Sequence, residues 1–148
     1  MVIWVDADAC SIKGEVIHIA KRFDVALIFV SHQIIKALQD RKGLEFILCE
    51  AGPDAADDYI VEHCKIGDLV LTMDLLLSRR LLAKKVHVMN FLGAWVDENA
   101  VSDGLGRKGL KLFSEALGVD HKKKKSRVSP FLGLFHNACA RLFQPCKD

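Results

Sequence analysis

The sequence lacks several features that mark whole classes of protein. No apolar run reaches the roughly 18 residues that a membrane-spanning helix requires, and no basic stretch precedes the first apolar run as in a signal peptide. The chain has five cysteines but no CxxC pair, which argues against a zinc ribbon and against a disulfide framework. We therefore expect a cytoplasmic protein with reduced thiols and no membrane partner.

Charge is distributed unevenly along the 148 residues, a length that suits a single domain. Residues 1–106 carry 11 basic and 16 acidic residues, a net charge of −5. Residues 107–148 carry 10 basic and 3 acidic residues, a net charge of +7. An acidic body beside a basic tail is typical of a metal–carboxylate site flanked by a segment that binds a polyanion. The alternative is a basic tail that is merely solvated.

Short β-rich runs alternate with helix-length segments in the first part of the chain. The pattern predicts strands at residues 2–5, 25–30, 44–49, 68–72 and 86–89, and helices at residues 12–22, 54–64 and 75–83. Asp54 is the expected cap of the second of these helices. Because the strands are continuously apolar, we expect a mainly parallel sheet covered on both faces, which is a three-layer α/β/α domain.

Beyond residue 90 the periodic pattern is weaker. Helical patterning over residues 97–118 is interrupted by DGLG, residues 121–127 suggest a charged linker, and residues 130–143 suggest a closing amphipathic helix. We predict an α/β domain over residues 1–118. Residues 119–148 would form a basic linker and a helix that packs on the same domain.

Acidic side chains follow two of the predicted strands at the points where the strands end. Asp6 and Asp8 in IWVDADAC come just past the first strand, and Asp74 in GDLVLTMD comes just past the fourth. Asp57 and Asp58 in GPDAADD lie near the start of the helix after the third strand. The carboxyl ends of parallel strands share one edge, so these oxygens should meet there and hold Mg²⁺ or Mn²⁺. The helix dipole also favours acids at a helix start, so neither helix acid identifies a metal site alone.

These motifs, together with the later NFLG, resemble the YaiI/YqxD family of uncharacterised bacterial proteins. That family is grouped with PIN-like domains, whose nuclease members hold divalent metal in an acidic pocket. The resemblance covers about residues 1–115 and implies a PIN-like α/β fold. It also implies that Asp6 is the strand-one ligand, that Asp57 or Asp58 is the helix-borne acid and that Asp74 is the strand-four acid. Thr72 would orient a ligand or phosphate.

Further candidates for substrate binding lie near the same edge and in the tail. His32 and Gln33 follow the second strand, where His32 could contact phosphate or metal and Gln33 a base or sugar. The alternative is that His32 is an ordinary surface-loop histidine. The basic run of the tail could neutralise phosphates, or could be a solvated linker. Its candidate residues are Lys122, Lys123, Lys124, Lys125 and Arg127.

The preferred interpretation is a metal-dependent phosphodiesterase that acts on RNA or single-stranded nucleic acid. Asp6, Asp8, Asp58 and Asp74 would surround one or two Mg²⁺ or Mn²⁺ ions. A first alternative is a haloacid-dehalogenase-like phosphatase, because DADAC resembles the motif in which the first Asp is a nucleophile. A second alternative is a non-catalytic PIN-like module that binds RNA without cutting it.

Overall fold

The secondary structure follows the predicted alternation of strands and helices. A computed structural model describes residues 1–10, 12–39, 43–105 and 124–143. The strands are β1 (Val2–Asp6), β2 (Ala26–Ser31), β3 (Glu45–Leu48), β4 (Leu69–Leu71) and β5 (His87–Met89). The helices are α1 (Lys13–Arg22), α2 (Lys36–Gln39), α3 (Pro53–His63), α4 (Leu75–Ala83), α5 (Glu98–Leu105) and α6 (Lys124–Leu142), and a 3₁₀ turn covers Ala7–Ala9. Periodicity does not predict α2, because four residues are too few to show a helical repeat.

The five strands form one parallel sheet in the order β3-β2-β1-β4-β5. From β1 the chain moves outwards through β2 to β3, then crosses back to β4 on the other side of β1. The junction between β1 and β4 is therefore the point at which the strand order reverses. In open α/β sheets this is where a crevice opens beyond the carboxyl ends of the strands.

Alternate residues of the central strand bury against different helical layers. Ile3 and Val5 of β1 belong to the core cluster that includes residues of α1 and α6. Trp4, between them in sequence, belongs to the opposite cluster, which includes residues of α3, α4 and α5. This alternation follows from the two-residue period of a strand, and it confirms the predicted three-layer α/β/α architecture.

The start of α3 differs from the prediction. We expected Asp54 to cap the helix, but the helix begins at Pro53 with Gly52 at the N-cap position. Gly52 has φ 124° and ψ −178°, a conformation that residues with a Cβ rarely adopt. Proline suits the first helical position because its φ is already close to helical and its missing N–H would have no partner there. The GPD part of GPDAADD is therefore a helix-start signal.

The predicted boundary between linker and closing helix is also wrong. Residues 124–127 belong to α6, which begins six residues before the expected start at Pro130. Lysine is a good helix former, so a lysine run does not by itself end or delay a helix. Phe131 and Phe135 are fully buried in the α1 layer, and His136 contacts the ring of Phe23 edge-on. The domain boundary that we place at residues 118 and 119 lies outside the described residues.

The NFLG motif forms a tight turn that joins β5 to the α6 layer. Asn90 Oδ1 accepts hydrogen bonds from the backbone N–H groups of Leu92 and Ala94. Gly93 has φ 90°, and a Cβ there would lie 2.7 Å from a side-chain carbon of Leu134. Both its backbone conformation and this close approach therefore require glycine. None of the helices in the described ranges is both long and apolar enough to cross a membrane.

Candidate functional site

The reversal point between β1 and β4 carries a buried carboxylate, Asp6. This last residue of β1 is 8% exposed, and its Oδ2 accepts a hydrogen bond of 2.9 Å from Thr72 Oγ1. Burial raises the pKa of Asp6, the Thr72 hydrogen bond lowers it, and the negative charges of Asp8 and Asp74 raise it further. The net result is a pKa above the ordinary value of 3.8. Asp6 is therefore a carboxylate whose charge the surroundings do not fully compensate.

Asp74 is joined to Asp6 through the same threonine. Its backbone N–H donates to Thr72 Oγ1 at 3.1 Å. Its Oδ1 caps α4, accepting from the N–H groups of Leu76 at 2.9 Å and Leu77 at 3.1 Å. Thr72 is fully buried and links the two acids, because its hydroxyl donates to one residue and accepts from the other. The cap and the threonine thus hold one oxygen of each carboxylate, Asp74 Oδ1 and Asp6 Oδ2.

The helix α3 contributes Asp57 to this group. The pKa of Asp57 is raised to about 7, first by burial and then by the negative charges of Asp6, Asp74 and Asp54, with a partial lowering by Arg80. A carboxyl group that is partly protonated at neutral pH marks a site where negative charges accumulate. Asp6, Asp57 and Asp74 come from β1, α3 and the end of β4, and we call them the acidic triad.

Asp58 is paired with a residue outside the acidic triad, and its catalytic and metal-binding role stays a prediction. Its Oδ1 forms an ion pair of 2.9 Å with Arg80 Nη2 of α4, and both side chains are about half exposed, 55% and 46%. Successive residues of a helix point about 100° apart, so two adjacent acids rarely serve one site. The resemblance left Asp57 and Asp58 open, and the electrostatic coupling favours Asp57.

Asp8 is hydrogen-bonded to residues at the end of β2, and its predicted role as a metal ligand stays a prediction. Ser31 Oγ donates to its Oδ1, while His32 contacts its Oδ2 through the backbone N–H at 3.2 Å and through ring Nδ1 at 2.7 Å. Burial raises the pKa of Asp8, but the hydrogen bonds from Ser31 and His32 outweigh it, so the net pKa lies below 3.8. Both carboxylate oxygens are therefore engaged at the end of β2. Asp8 lies beside the triad as a fixed negative charge.

His32 and Gln33 complete this second group. Gln33 Nε2 lies 3.2 Å from His32 Nε2, and the Gln33 backbone N–H donates to Ser31 Oγ at 2.9 Å. Both ring nitrogens of His32 thus have polar neighbours, which fixes the orientation of the ring. Ser31 is the member that the site prediction omitted. Ser31 ends β2 as Asp6 ends β1, and its place after the predicted second strand made it a candidate only for the phosphatase alternative.

The donor set of the acidic triad fits a hard divalent cation. Carboxylate oxygens are the ligands that Mg²⁺ and Mn²⁺ prefer, and a cation would remove the repulsion that raises the pKa of Asp57. Within the described ranges, however, no three His, Cys, Asp or Glu side chains are already arranged as a metal-binding group. The triad therefore has suitable chemistry but not a preformed set of ligand positions.

Cys10 is buried, and burial raises the pKa of its thiol to about 11, so it is a neutral core residue. Lys122 and Lys123 lie outside the described residues. Lys124, Lys125 and Arg127 belong to the first turns of α6. The predicted contact of this basic run with nucleic acid stays a prediction.

The sequence is similar to the members of one protein family. Residues 4–144 match the sequence profile described as uncharacterised BCR, YaiI/YqxD family. A UPF0178 protein of Pseudoalteromonas atlantica is 42% identical over 121 residues, which are 80% of this chain and 82% of the relative. A UPF0178 protein of Syntrophobacter fumaroxidans is 32% identical over 141 residues, covering 89% and 92%. No solved structure is significantly similar to the chain.

Proposed function

The chain belongs to the uncharacterised YaiI/YqxD family, and from its acidic triad we propose that it is a metal-dependent phosphodiesterase acting on RNA or single-stranded nucleic acid. The proposed cofactor is Mg²⁺ or Mn²⁺. The observation that carries the proposal is the acidic triad at the reversal point of a parallel sheet, where three separate segments each contribute a carboxylate. The charge of Asp74 raises the pKa of Asp6, and the charges of Asp6 and Asp74 add to the effect of burial in raising the pKa of Asp57.

The acidic triad and Thr72 have different tasks in this proposal. Asp6, Asp57 and Asp74 would hold the cation, which polarises a phosphoryl oxygen and activates water when bound. Thr72 keeps the Asp6 carboxylate in place, because its hydroxyl is fully buried and donates to Oδ2. Asp57 releases its proton as the cation binds, since its pKa of about 7 leaves it partly protonated beforehand.

The second polar group lies at the same edge of the sheet and is proposed to contact the substrate. His32 and Gln33 follow β2, whose partner β1 ends in Asp6. Imidazole and amide groups can donate hydrogen bonds to phosphate, sugar or base oxygens. The basic run at residues 122–127 is proposed as an additional phosphate contact, because the net charge of +7 in residues 107–148 would offset the acidic body.

The phosphatase alternative has less support from the geometry. Its mechanism uses Asp6 as nucleophile and needs the second acid of DADAC to exchange a proton with the leaving group. Asp8 instead has both oxygens engaged by Ser31 and His32. A non-catalytic RNA-binding module remains the second candidate, because the basic run supports binding independently of the triad.

Mn²⁺ titration calorimetry combined with an RNA cleavage assay tests the proposal. Wild-type protein should bind Mn²⁺ and cut single-stranded RNA, while Asp6→Asn and Asp74→Asn should each weaken Mn²⁺ binding by more than about tenfold and abolish cleavage. Asp24→Asn is the matched control. Asp24 precedes β2 at the opposite edge of the sheet and has φ 54°, which asparagine tolerates well.

The outcomes separate the three functions. Turnover of a generic phosphomonoester, with Asp6 trapped by a phosphate-mimicking fluoride, would establish the phosphatase instead. RNA binding without cleavage and without Mn²⁺ binding would establish the non-catalytic module. Equal Mn²⁺ affinity in wild type, Asp6→Asn and Asp74→Asn would exclude a shared metal site.

A further inference from the structure

The ion pair between α3 and α4 lies next to the acidic triad. Asp58 is adjacent in sequence to Asp57, and its partner Arg80 lies on the helix that Asp74 caps. The 2.9 Å contact places the guanidinium beside α3, at the position next to Asp57. Arg80 is therefore a cation at the boundary of a group of negative charges.

The geometry of the pair leaves Arg80 able to bind a second anion. The contact with Asp58 uses Nη2, whereas a guanidinium carries five N–H donors in a planar fork. The side chain is 46% exposed, so solvent and solutes reach it. Exposed ion pairs contribute little to stability, so Arg80 and Asp58 can be substituted without unfolding the protein.

We propose that Arg80 binds a backbone phosphate of the nucleic-acid strand at the entrance to the acidic triad, and that Asp58 is the positioning residue that holds its guanidinium there. This inference rests on the proposed function and names a substrate-binding residue for it. A strand that approaches three carboxylates is repelled, and a fixed cation beside them offsets that repulsion where it is strongest. Arginine suits this task because its fork binds phosphate through two parallel hydrogen bonds.

The neighbouring Arg79 provides a matched control on the same helix. Arg79 lines a different space, a groove of about 260 Å³ between α4 and α5 with Glu98 and Ser102. The two arginines have the same charge and are both exposed, but they point to different parts of the surface. A role that depends on position will therefore appear in Arg80 variants and not in Arg79→Ala.

Salt-dependent RNA binding tests the position of Arg80. Anisotropy of a labelled single-stranded RNA is followed between about 50 and 200 mM salt, with a chelator present so that the strand stays intact. Arg80→Ala should weaken binding and reduce the slope of log K against log salt by about 0.7, the value for one phosphate contact. Arg79→Ala should keep the wild-type slope. Arg80→Lys should restore the slope, because it restores the charge, while recovering part of the affinity.

Mn²⁺ affinity tests the role of Asp58. Removing the Arg80 cation should leave Mn²⁺ binding unchanged or slightly tighter, because two cations repel. Asp58→Asn should bind Mn²⁺ within a few-fold of wild type yet bind RNA more weakly, since Arg80 loses its partner. Collapse of Mn²⁺ binding in Asp58→Asn would make Asp58 a metal ligand and overturn its positioning role.

Other results would overturn the inference without touching the proposed function. Equal salt slopes in Arg80→Ala and wild type, while Asp6→Asn still abolishes Mn²⁺ binding and cleavage, would remove Arg80 from the substrate path and leave the metal site intact. Equal losses in Arg79→Ala and Arg80→Ala would show a non-specific charge effect. A wild-type protein that binds no RNA would also overturn the assignment of Arg80 and, unlike the two results above, would count against RNA as the substrate.

Discussion

The two ends of the β1–β4 strand pair place buried aspartates in opposite surroundings. At the amino end, Asp68 is 5% exposed, and its oxygens accept from the Val2 N–H at 3.0 Å, Trp4 Nε1 at 3.1 Å and the Lys65 N–H at 2.9 Å. At the carboxyl end, Asp6 is similarly buried, but one hydroxyl donates to it and two negative charges face it. The same residue type thus stabilises the fold where donors surround it. Where acids surround it, it stays available for a cation.

The largest effect of a substitution on stability is expected at the amino end of the β1–β4 strand pair. Asp68→Ala should lower the free energy of unfolding by about 3 kcal/mol, because the Trp4 indole N–H and two backbone N–H groups lose their acceptor. Urea denaturation measures the change. Glu62→Ala, on the exposed face of α3, is the control and should stay within about 0.5 kcal/mol of wild type. Equal effects of the two substitutions would remove the structural role of Asp68.

At the carboxyl end of the strand pair, substitution of an acid should raise the free energy of unfolding instead of lowering it. Folding raises the pKa of Asp57 from 3.8 to about 7, so its contribution to metal-free stability is fully present below 3.8 and is lost as pH rises through about 7. Asp57→Asn removes this loss of stability at high pH, because asparagine does not ionise. The variant should match wild type near about pH 4 and exceed it by about 1–2 kcal/mol near about pH 8, a value already reduced for solvent screening.

Thermal melts of Asp57→Asn and wild type in the presence of a chelator measure this pH-dependent difference. Asp58→Asn is the control on the adjacent position, where we expect no stabilisation that grows with pH. A gain from Asp57→Asn that is the same at every pH would show that folding does not raise the pKa of Asp57. Saturating Mn²⁺ should reverse the order and leave wild type the more stable protein.

A smaller change in stability is expected when the aspartate bound at the end of β2 is substituted. Asp8→Ala removes the acceptor of Ser31 and His32 and should cost about 1 kcal/mol at neutral pH. Folding lowers the pKa of Asp8, so its stabilising contribution is present above 3.8 and is lost as pH falls through the folded-state pKa. The deficit of the variant should therefore shrink in strong acid.

Mn²⁺ calorimetry on the same variant sharpens the contrast with Asp6. Asp8→Ala should bind Mn²⁺ with nearly wild-type affinity, because both of its oxygens are engaged at β2. A loss as large as that of Asp6→Asn would place Asp8 among the metal ligands, as the sequence interpretation first assigned it.

Much of the fold could be predicted from the sequence alone. Periodicity located the five strands and the helices α1, α3 and α4 to within one or two residues, because buried strands and amphipathic helices have local repeat lengths. The extent of α6 could not be predicted, because a lysine run is compatible both with a solvated linker and with the first turn of a helix. The role of Asp68 was missed because its donors Val2 and Trp4 lie more than sixty residues away along the chain.

The sequence by itself determined that carboxylates gather at the reversal point of a parallel sheet, since Asp6 and Asp74 directly follow strands whose carboxyl ends must share an edge. Tertiary structure decided which acid joins them and which does not. The rotation of α3 about its axis places Asp57 near the other two acids of the triad and Asp58 beside Arg80. The pairing of β1 with β2 brings Ser31 and His32 to Asp8. These choices depend on how helices pack and strands pair, because the direction of a side chain is set by contacts between segments that are distant in the chain.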